Sequence, residues 1–175
     1  MEGFTGTGLA CIRSDRIVFK GLDFSVDPGE ALVLTGPNGS GKSSLLRLMA
    51  GIAAPALGHI NWRSASISEN PEQFFRDIHY VGHRDAIKSA LTVRENLTFH
   101  ADLRHGHADI DGALDGVGLS ALANLPARML SAGQTRRLTL ARILASPAKL
   151  WLLDEPTIAL DSRSVDRIRN EIANH

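Results

Sequence analysis

The stretch Ala31-Leu32-Val33-Leu34-Thr35-Gly36-Pro37-Asn38-Gly39-Ser40-Gly41-Lys42-Ser43 decides how the chain is read. Its first five residues run apolar without alternation, the pattern of a strand covered on both faces. The next eight match Gly, four residues, Gly-Lys-Ser, the phosphate-loop pattern. Glycines let the backbone curl so that successive N–H groups converge on phosphate oxygens, and a helix N-terminus completes the nest. Lys42 is placed to reach the β- and γ-phosphates, and the Ser43 hydroxyl to ligate Mg²⁺. An apolar helix, Lys42 to Ala50, follows at once. Strand, glycine loop and helix open an α/β fold with a parallel sheet.

Toward the N-terminus the chain is β-rich. Leu9–Ile12 and Arg16–Lys20 are apolar runs separated by Arg13-Ser14-Asp15, a hairpin pattern. Leu22–Val26 alternates as a half-buried strand does, and Asp27-Pro28-Gly29 is turn chemistry. Toward the C-terminus, His79–Gly82 reads as a strand. From about Leu91 to Ala145 the pattern is mainly helical. Thr92 with Glu95 is a capping box, and Leu97, Phe99 and Leu103 supply apolar positions that are either core or partner surface. Asp109–Val117 is a helix weakened by Gly112 and Gly116, and Ser131 starts a better one that stops before Pro147. Leu150–Leu153 is a second buried strand, and Ser162–Ala173 is helical. Trp62 and Trp151 fall in strands and read as core.

Composition agrees with this outline. The chain has 175 residues, 43% hydrophobic and 22% charged, enough for a packed core in one domain. Nineteen basic residues balance nineteen acidic ones, so the field that sequence-independent nucleic-acid binding needs is absent. The single cysteine, Cys11, rules out an internal disulfide and sits among apolar neighbours as a buried hydrophobe. No apolar run reaches the roughly 18 residues of a membrane span. The first eight residues do not read as a signal peptide. A cytoplasmic protein that reaches a membrane only through a partner is the expectation.

Leu150-Trp151-Leu152-Leu153-Asp154-Glu155 is an apolar strand ending in two carboxylates. In a parallel sheet, ligands sit beyond the carboxyl ends of the strands. Asp154 is thereby expected to be the Mg²⁺ partner and Glu155 to orient or deprotonate an attacking water. Ser131 at a helix N-cap, with Gly133 beside it, sets a hydroxyl and N–H donors where an anion could sit. One chain already has its phosphate loop, so a second anion site makes sense facing another chain's nucleotide. An ordinary N-cap serine is the plainer alternative.

Leu130-Ser131-Ala132-Gly133-Gln134 resembles the signature motif of ABC-type ATPases. Asp154-Glu155-Pro156-Thr157 with Ala159-Leu160-Asp161 is similar to that family's Walker B and D-loop sequence. The order and spacing match across nearly the whole chain. Ala132, Arg136-Arg137, His79–His83 with Ile87-Lys88, and Leu91-Thr92 narrow the likeness to the ATP-binding subunits of the haem exporter in cytochrome c biogenesis, the CcmA family. The resemblance implies a P-loop NTPase with a parallel core sheet, an antiparallel β edge at the N-terminus and an inserted helical subdomain. Residues 1–83 and 147–175 would form the nucleotide-binding core, and 84–146 the helical part.

The resemblance also implies ATP with Mg²⁺ as cofactor, and nucleotide contacts from Gly36, Pro37, Asn38, Gly39, Ser40, Gly41, Lys42, Ser43 and Ser44. Ser131, Gly133, Gln134, His83 and Asp161 would join them, with Ser43 and Asp154 on the metal and Lys42, Asp154 and Glu155 in catalysis. A head-to-tail dimer of ATP-binding subunits would drive integral membrane subunits from the cytoplasmic face of the cell membrane. The alternatives are the ATPase of another transporter, and a truncated module that binds nucleotide without efficient turnover. A soluble ABC ATPase of DNA repair or translation lacks support in insertions or charge.

Three departures from the family pattern stand out. His83 occupies the place of a glutamine that touches Mg²⁺ and water. No early aromatic is present to stack on adenine, and Arg13 lies near that position, as stacking group or as solvated turn residue. The switch histidine and its strand beyond the D-loop are expected to be missing, because the sequence stops at His175. His100, His105 and His107 suggest a metal or haem site, but the charges interleaved with them favour a solvated helix end.

Overall fold

The N-terminal hairpin forms as its sequence predicts in the computed structural model, which describes residues 3–104 and 108–175. β1 (Phe4–Arg13) and β2 (Arg16–Val26) pair antiparallel, and Leu22–Val26 is the far end of β2 rather than a strand of its own. Ser14 and Asp15 both take positive φ, 47° and 62°. Two such residues twist a turn to match the right-handed twist of its strands. β3 (Leu57–Trp62) lies along the other side of β1, with β4 (Ala65–Ser66) outside it, in the order β2-β1-β3-β4.

Two units divide the chain, Met1–Tyr80 and Val81–His175. The first is built on aromatic packing. The Phe4 ring, 1% exposed, lies 5.2 Å from Phe24, 5.9 Å from Trp62 and 6.0 Å from Phe74. Trp62 keeps its polar edge satisfied by donating from Nε1 to Asp77 at 2.9 Å. Phe74 is delivered by α2 (Pro71–Asp77), whose start is set by Asn70 accepting from the Gln73 amide and by Pro71 at the first helical position. α1 (Lys42–Met49) buries Leu45, Leu48 and Met49.

The apolar run Ala31–Thr35 departs from its reading. It forms no strand, and Leu32 and Val33 are exposed. An apolar run becomes a buried strand only where a ladder satisfies its N–H and C=O groups. Neither sheet of the described residues supplies an edge to this segment.

The second unit is mainly helical. α3 (Val93–Asp102), α4 (Ile110–Gly116) and α5 (Ala132–Ala145) enclose Val93, Leu97, Leu114, Leu119, Leu138 and Ala141. The capping box read at Thr92 and Glu95 starts α3, and the N-cap read at Ser131 forms a second box, closed by Gln134, at the start of α5. Arg137 and Arg167 donate to the carbonyls of Val117 and Gly116, respectively, at the end of α4, where cations complement the helix terminus. β5 (Ile78–Val81) and β6 (Leu150–Leu153) form the second sheet. α6 (Ser162–Asn174) packs Ile168 with Val81, Leu140 and Ile143. Mixed helices and strands with a parallel and an antiparallel sheet make this the α/β class read from the sequence.

Candidate functional site

The phosphate loop lies in the first unit. Gly36, Gly39 and Gly41 all take positive φ, 143°, 83° and 103°, which curls the loop as its glycines foretell. Gly41 is constrained twice over, because a Cβ there would lie 2.7 Å from Val18 Cγ1. Lys42 Nζ donates to the Gly36 carbonyl at 2.7 Å and to Pro37 at 3.0 Å. These bonds fold the lysine back across the loop. Pro37, Asn38 and Ser40 are exposed, whereas Ser43 is half-buried and Ser44 buried along α1.

The acidic strand end lies in the second unit. The Asp154 amide donates to Val81 at 2.8 Å, which holds the end of β6 beside β5. Asp154 is 3% exposed, while Glu155 is exposed and takes φ 48°. A non-glycine residue in the left-handed region persists only where its surroundings hold it. His83 is brought to it: Nδ1 lies 3.6 Å from Glu155 Oε2. The departure at His83 therefore sits against the carboxylate read as the water-orienting group.

The signature segment is shaped by its own hydrogen bonds. Ser131 Oγ accepts from the Gln134 amide at 3.2 Å, and Gln134 Oε1 accepts from the Ser131 amide at 2.8 Å. Gln134 thus serves as the return arm of a capping box. A serine that accepts one bond still has its O–H to donate. The amides of Ala132 and Gly133 belong to the first turn, which has no intrahelical acceptor. Gly133 is fixed by close approach: a Cβ there would lie 2.8 Å from the Ala159 carbonyl. The segment after β6 is in this way seated on the start of α5. Asp161 caps α6 by accepting from the Ser164 amide at 2.8 Å, and that bond holds its carboxyl below the usual range.

Sequence reasoning missed Asn96. It is 1% exposed and ties the preceding loop to α3. Its Oδ1 accepts from the Lys88 amide at 2.7 Å, and its Nδ2 donates to the carbonyls of Lys88, Leu91 and Thr92. Asn96→Ala removes a fully bonded amide and takes a partner from the partly buried backbone groups of Lys88, Leu91 and Thr92, at about 1–3 kcal/mol each. Chemical unfolding should show a loss of about 2–4 kcal/mol from the second unit. The only sequence signal was a polar residue at a core position of α3.

His100 differs from its reading as a solvated residue. It is half-buried and its Nε2 lies 2.9 Å from the Ala86 carbonyl. Burial, then Arg142, then Lys88 lower its pKa, while the bond to Ala86 raises it. A base whose folded pKa lies below its unfolded value loses native-state stability as pH falls through the unfolded value of 6.5. His100→Gln should flatten the stability loss between neutral pH and about pH 5, measured by urea unfolding. His175, lowered by burial, leaves a residual slope of the same sign. His105 and His107 lie outside the described residues. Among those described, no group of three His, Cys, Asp or Glu could hold a metal. Leu97 is core, whereas Phe99 and Leu103 are exposed, which divides the two readings of that stripe. Arg13 is exposed at the tip of the hairpin, and Trp62 and Trp151 are half-buried.

The ABC transporter family model matches residues 19–158. The chain belongs to the ABC transporter family. It is 51% identical over 98% of its length to the cytochrome c biogenesis ATP-binding export protein CcmA of Paramagnetospirillum magneticum, and spans 82% of that protein. The CcmA of Rhodospirillum rubrum is also 51% identical over 98% of the chain, which covers 74% of it. Among solved structures, an ABC transporter ATP-binding protein of Pyrococcus furiosus superposes with a TM-score of 0.83 at 22% identity. That match covers 98% of this chain and 84% of the other, and it confirms the fold. The family places this chain among ATPases that couple hydrolysis to transport. As such a subunit it associates with membrane partners, and no helix of the described residues is long and apolar enough to cross a membrane itself.

Proposed function

We propose that this chain hydrolyses MgATP as the ATP-binding subunit of the haem exporter of cytochrome c biogenesis, at the cytoplasmic face of the cell membrane. The observation that carries the assignment is half-identity to CcmA proteins over nearly all of the chain. The site chemistry supports it. The loop N–H groups of residues 36–41 other than Pro37, and the Lys42 ammonium, bind the β- and γ-phosphates, as a glycine nest and a point charge do. Mg²⁺ takes oxygen ligands and is commonly held by one or two carboxylates and hydroxyls beside phosphate. The Ser43 hydroxyl and the Asp154 carboxyl are donors of that chemistry and would hold the ion. When bound, the ion neutralises charge on the phosphates. Glu155 orients the attacking water, with His83 in contact with its carboxylate.

The Ser131 hydroxyl and the first-turn amides at Gly133 bind the γ-phosphate held by a second copy in a head-to-tail dimer. Gln134 and Asp161 act by fixing the starts of α5 and α6. Residues 84–146 form the helical subdomain of the working transporter, and its partners are proteins of the membrane rather than nucleic acid. Phe99 and Leu103 supply exposed apolar surface for that membrane partner. Cells lacking this chain should fail to assemble c-type cytochromes, and the intact chain should restore them. Normal assembly without the chain would place it in another transporter.

A further inference from the structure

Arg136 is the most deeply buried charged side chain of the second unit, 2% exposed. It stands one turn into α5, beside the half-buried Arg137, and the sequence does not distinguish the two. The structure does. Arg136 Nη1 donates to the Gly82 carbonyl at 3.0 Å and to Asp85 Oδ1 at 3.1 Å. Its Nη2 donates to the carbonyls of Asp154 and Glu155, both at 2.8 Å. One guanidinium therefore joins three segments: the signature helix, the loop that follows β5, and the end of β6.

We infer that Arg136 is a positioning residue for Glu155, tying it to the loop 82–85. This rests on the reading of Glu155 as the group that orients water. Two successive carbonyls bonded to one nitrogen clamp the peptide that carries Glu155, which is what its left-handed φ of 48° requires. The other nitrogen holds Gly82, the residue before His83, and His83 contacts the Glu155 carboxylate. Arg136 thus fixes Glu155 at its backbone and locates the side chain that meets its carboxylate. A displacement of 82–85 is passed to Glu155 through a rigid fork rather than through flexible chain. Lysine cannot replace it, because a single ammonium does not present the planar fork that serves both segments.

The test compares Arg136→Lys and Glu155→Gln, singly and together, in the protein assembled with its membrane partners. ATP affinity, KM and kcat are measured for each. Arg136→Lys should lower kcat at least about tenfold, since a misplacement near 1 Å can cost about a hundredfold. ATP affinity should stay within about twofold, and the double variant should be no slower than Glu155→Gln alone. An unchanged kcat, a parallel loss of ATP affinity, or losses that multiply in the double variant would overturn the inference. If Arg136→Lys does not fold, Asp85→Asn carries the test. A severalfold fall in kcat at constant affinity supports the tie, and an unchanged kcat rejects it. Should Glu155→Gln itself turn over normally, the reading of Glu155 fails instead.

Discussion

Glu155→Gln is expected to bind MgATP as tightly as the parent protein while losing turnover by about 10²–10⁴, the usual contribution of a positioned base. The substitution is nearly isosteric, and Gln tolerates the left-handed backbone no worse than Glu. The hydrogen bonds that hold residue 155 run to its carbonyl, and its carboxylate meets only the exposed His83 at 3.6 Å, so the local fold stays. What disappears is the negative oxygen that accepts a proton or a hydrogen bond from water. Phosphate release under saturating ATP reads the effect, and calorimetric binding reads its control. Turnover at the parent rate would remove Glu155 from the chemistry.

The second large effect concerns Lys42. Lys42→Ala deletes the one cation of the phosphate loop and the two bonds by which that cation crosses to Gly36 and Pro37. Hydrogen bonds to charged groups contribute about 1.5–3 kcal/mol each. Losing one or two such bonds to the phosphates weakens ATP binding by about 10- to 10⁴-fold. α1 should remain, because Leu45, Leu48 and Met49 anchor it from its other face. Unaltered ATP affinity in Lys42→Ala would mean that nucleotide binds elsewhere.

The parts legible in sequence are those written in local chemistry. The capping box at Thr92, the N-cap at Ser131, the phosphate-loop glycines and the apolar strand ending at Asp154 each depend on neighbours within a few residues. β3 was legible only at Trp62, read as a strand position: Leu57-Gly58-His59-Ile60-Asn61-Trp62 has weak alternation, so its extent was hidden, and its partner β1 lies some fifty positions earlier. α2 escaped although Asn70-Pro71 carries both a cap and a first-turn proline, because seven residues give too little periodicity. Ala31–Thr35 failed in the opposite direction. Its apolar pattern is strong, but pattern cannot supply a neighbouring edge. Arg136 could not be told from Arg137, since burial is decided by how α5 is seated, and one residue turns a helical side chain by about 100°.

Asn96 and His100 show a related limit. Asn96 carries no motif and His100 reads as part of a solvated helix end, yet they pin the loop from Ala86 to Thr92 to α3. Lys88 adds to this by placing its ammonium 4.5 Å from the centre of the Phe99 ring, within cation–π reach. A loop fixed at three points transmits a push from outside better than a free one. It continues directly from the segment 82–85 that Arg136 joins to Glu155.

On the proposed function, this chain turns over ATP at Glu155 in answer to a membrane partner. The most direct measurement is steady-state phosphate release by the purified membrane complex, made with the parent chain and with Glu155→Gln, with and without the membrane subunits. Turnover by the parent should rise when those subunits are present, and the variant should keep only the residual rate about 10²–10⁴ below it. Equal rates for parent and variant, or a parent rate indifferent to the membrane subunits, would contradict the proposed function.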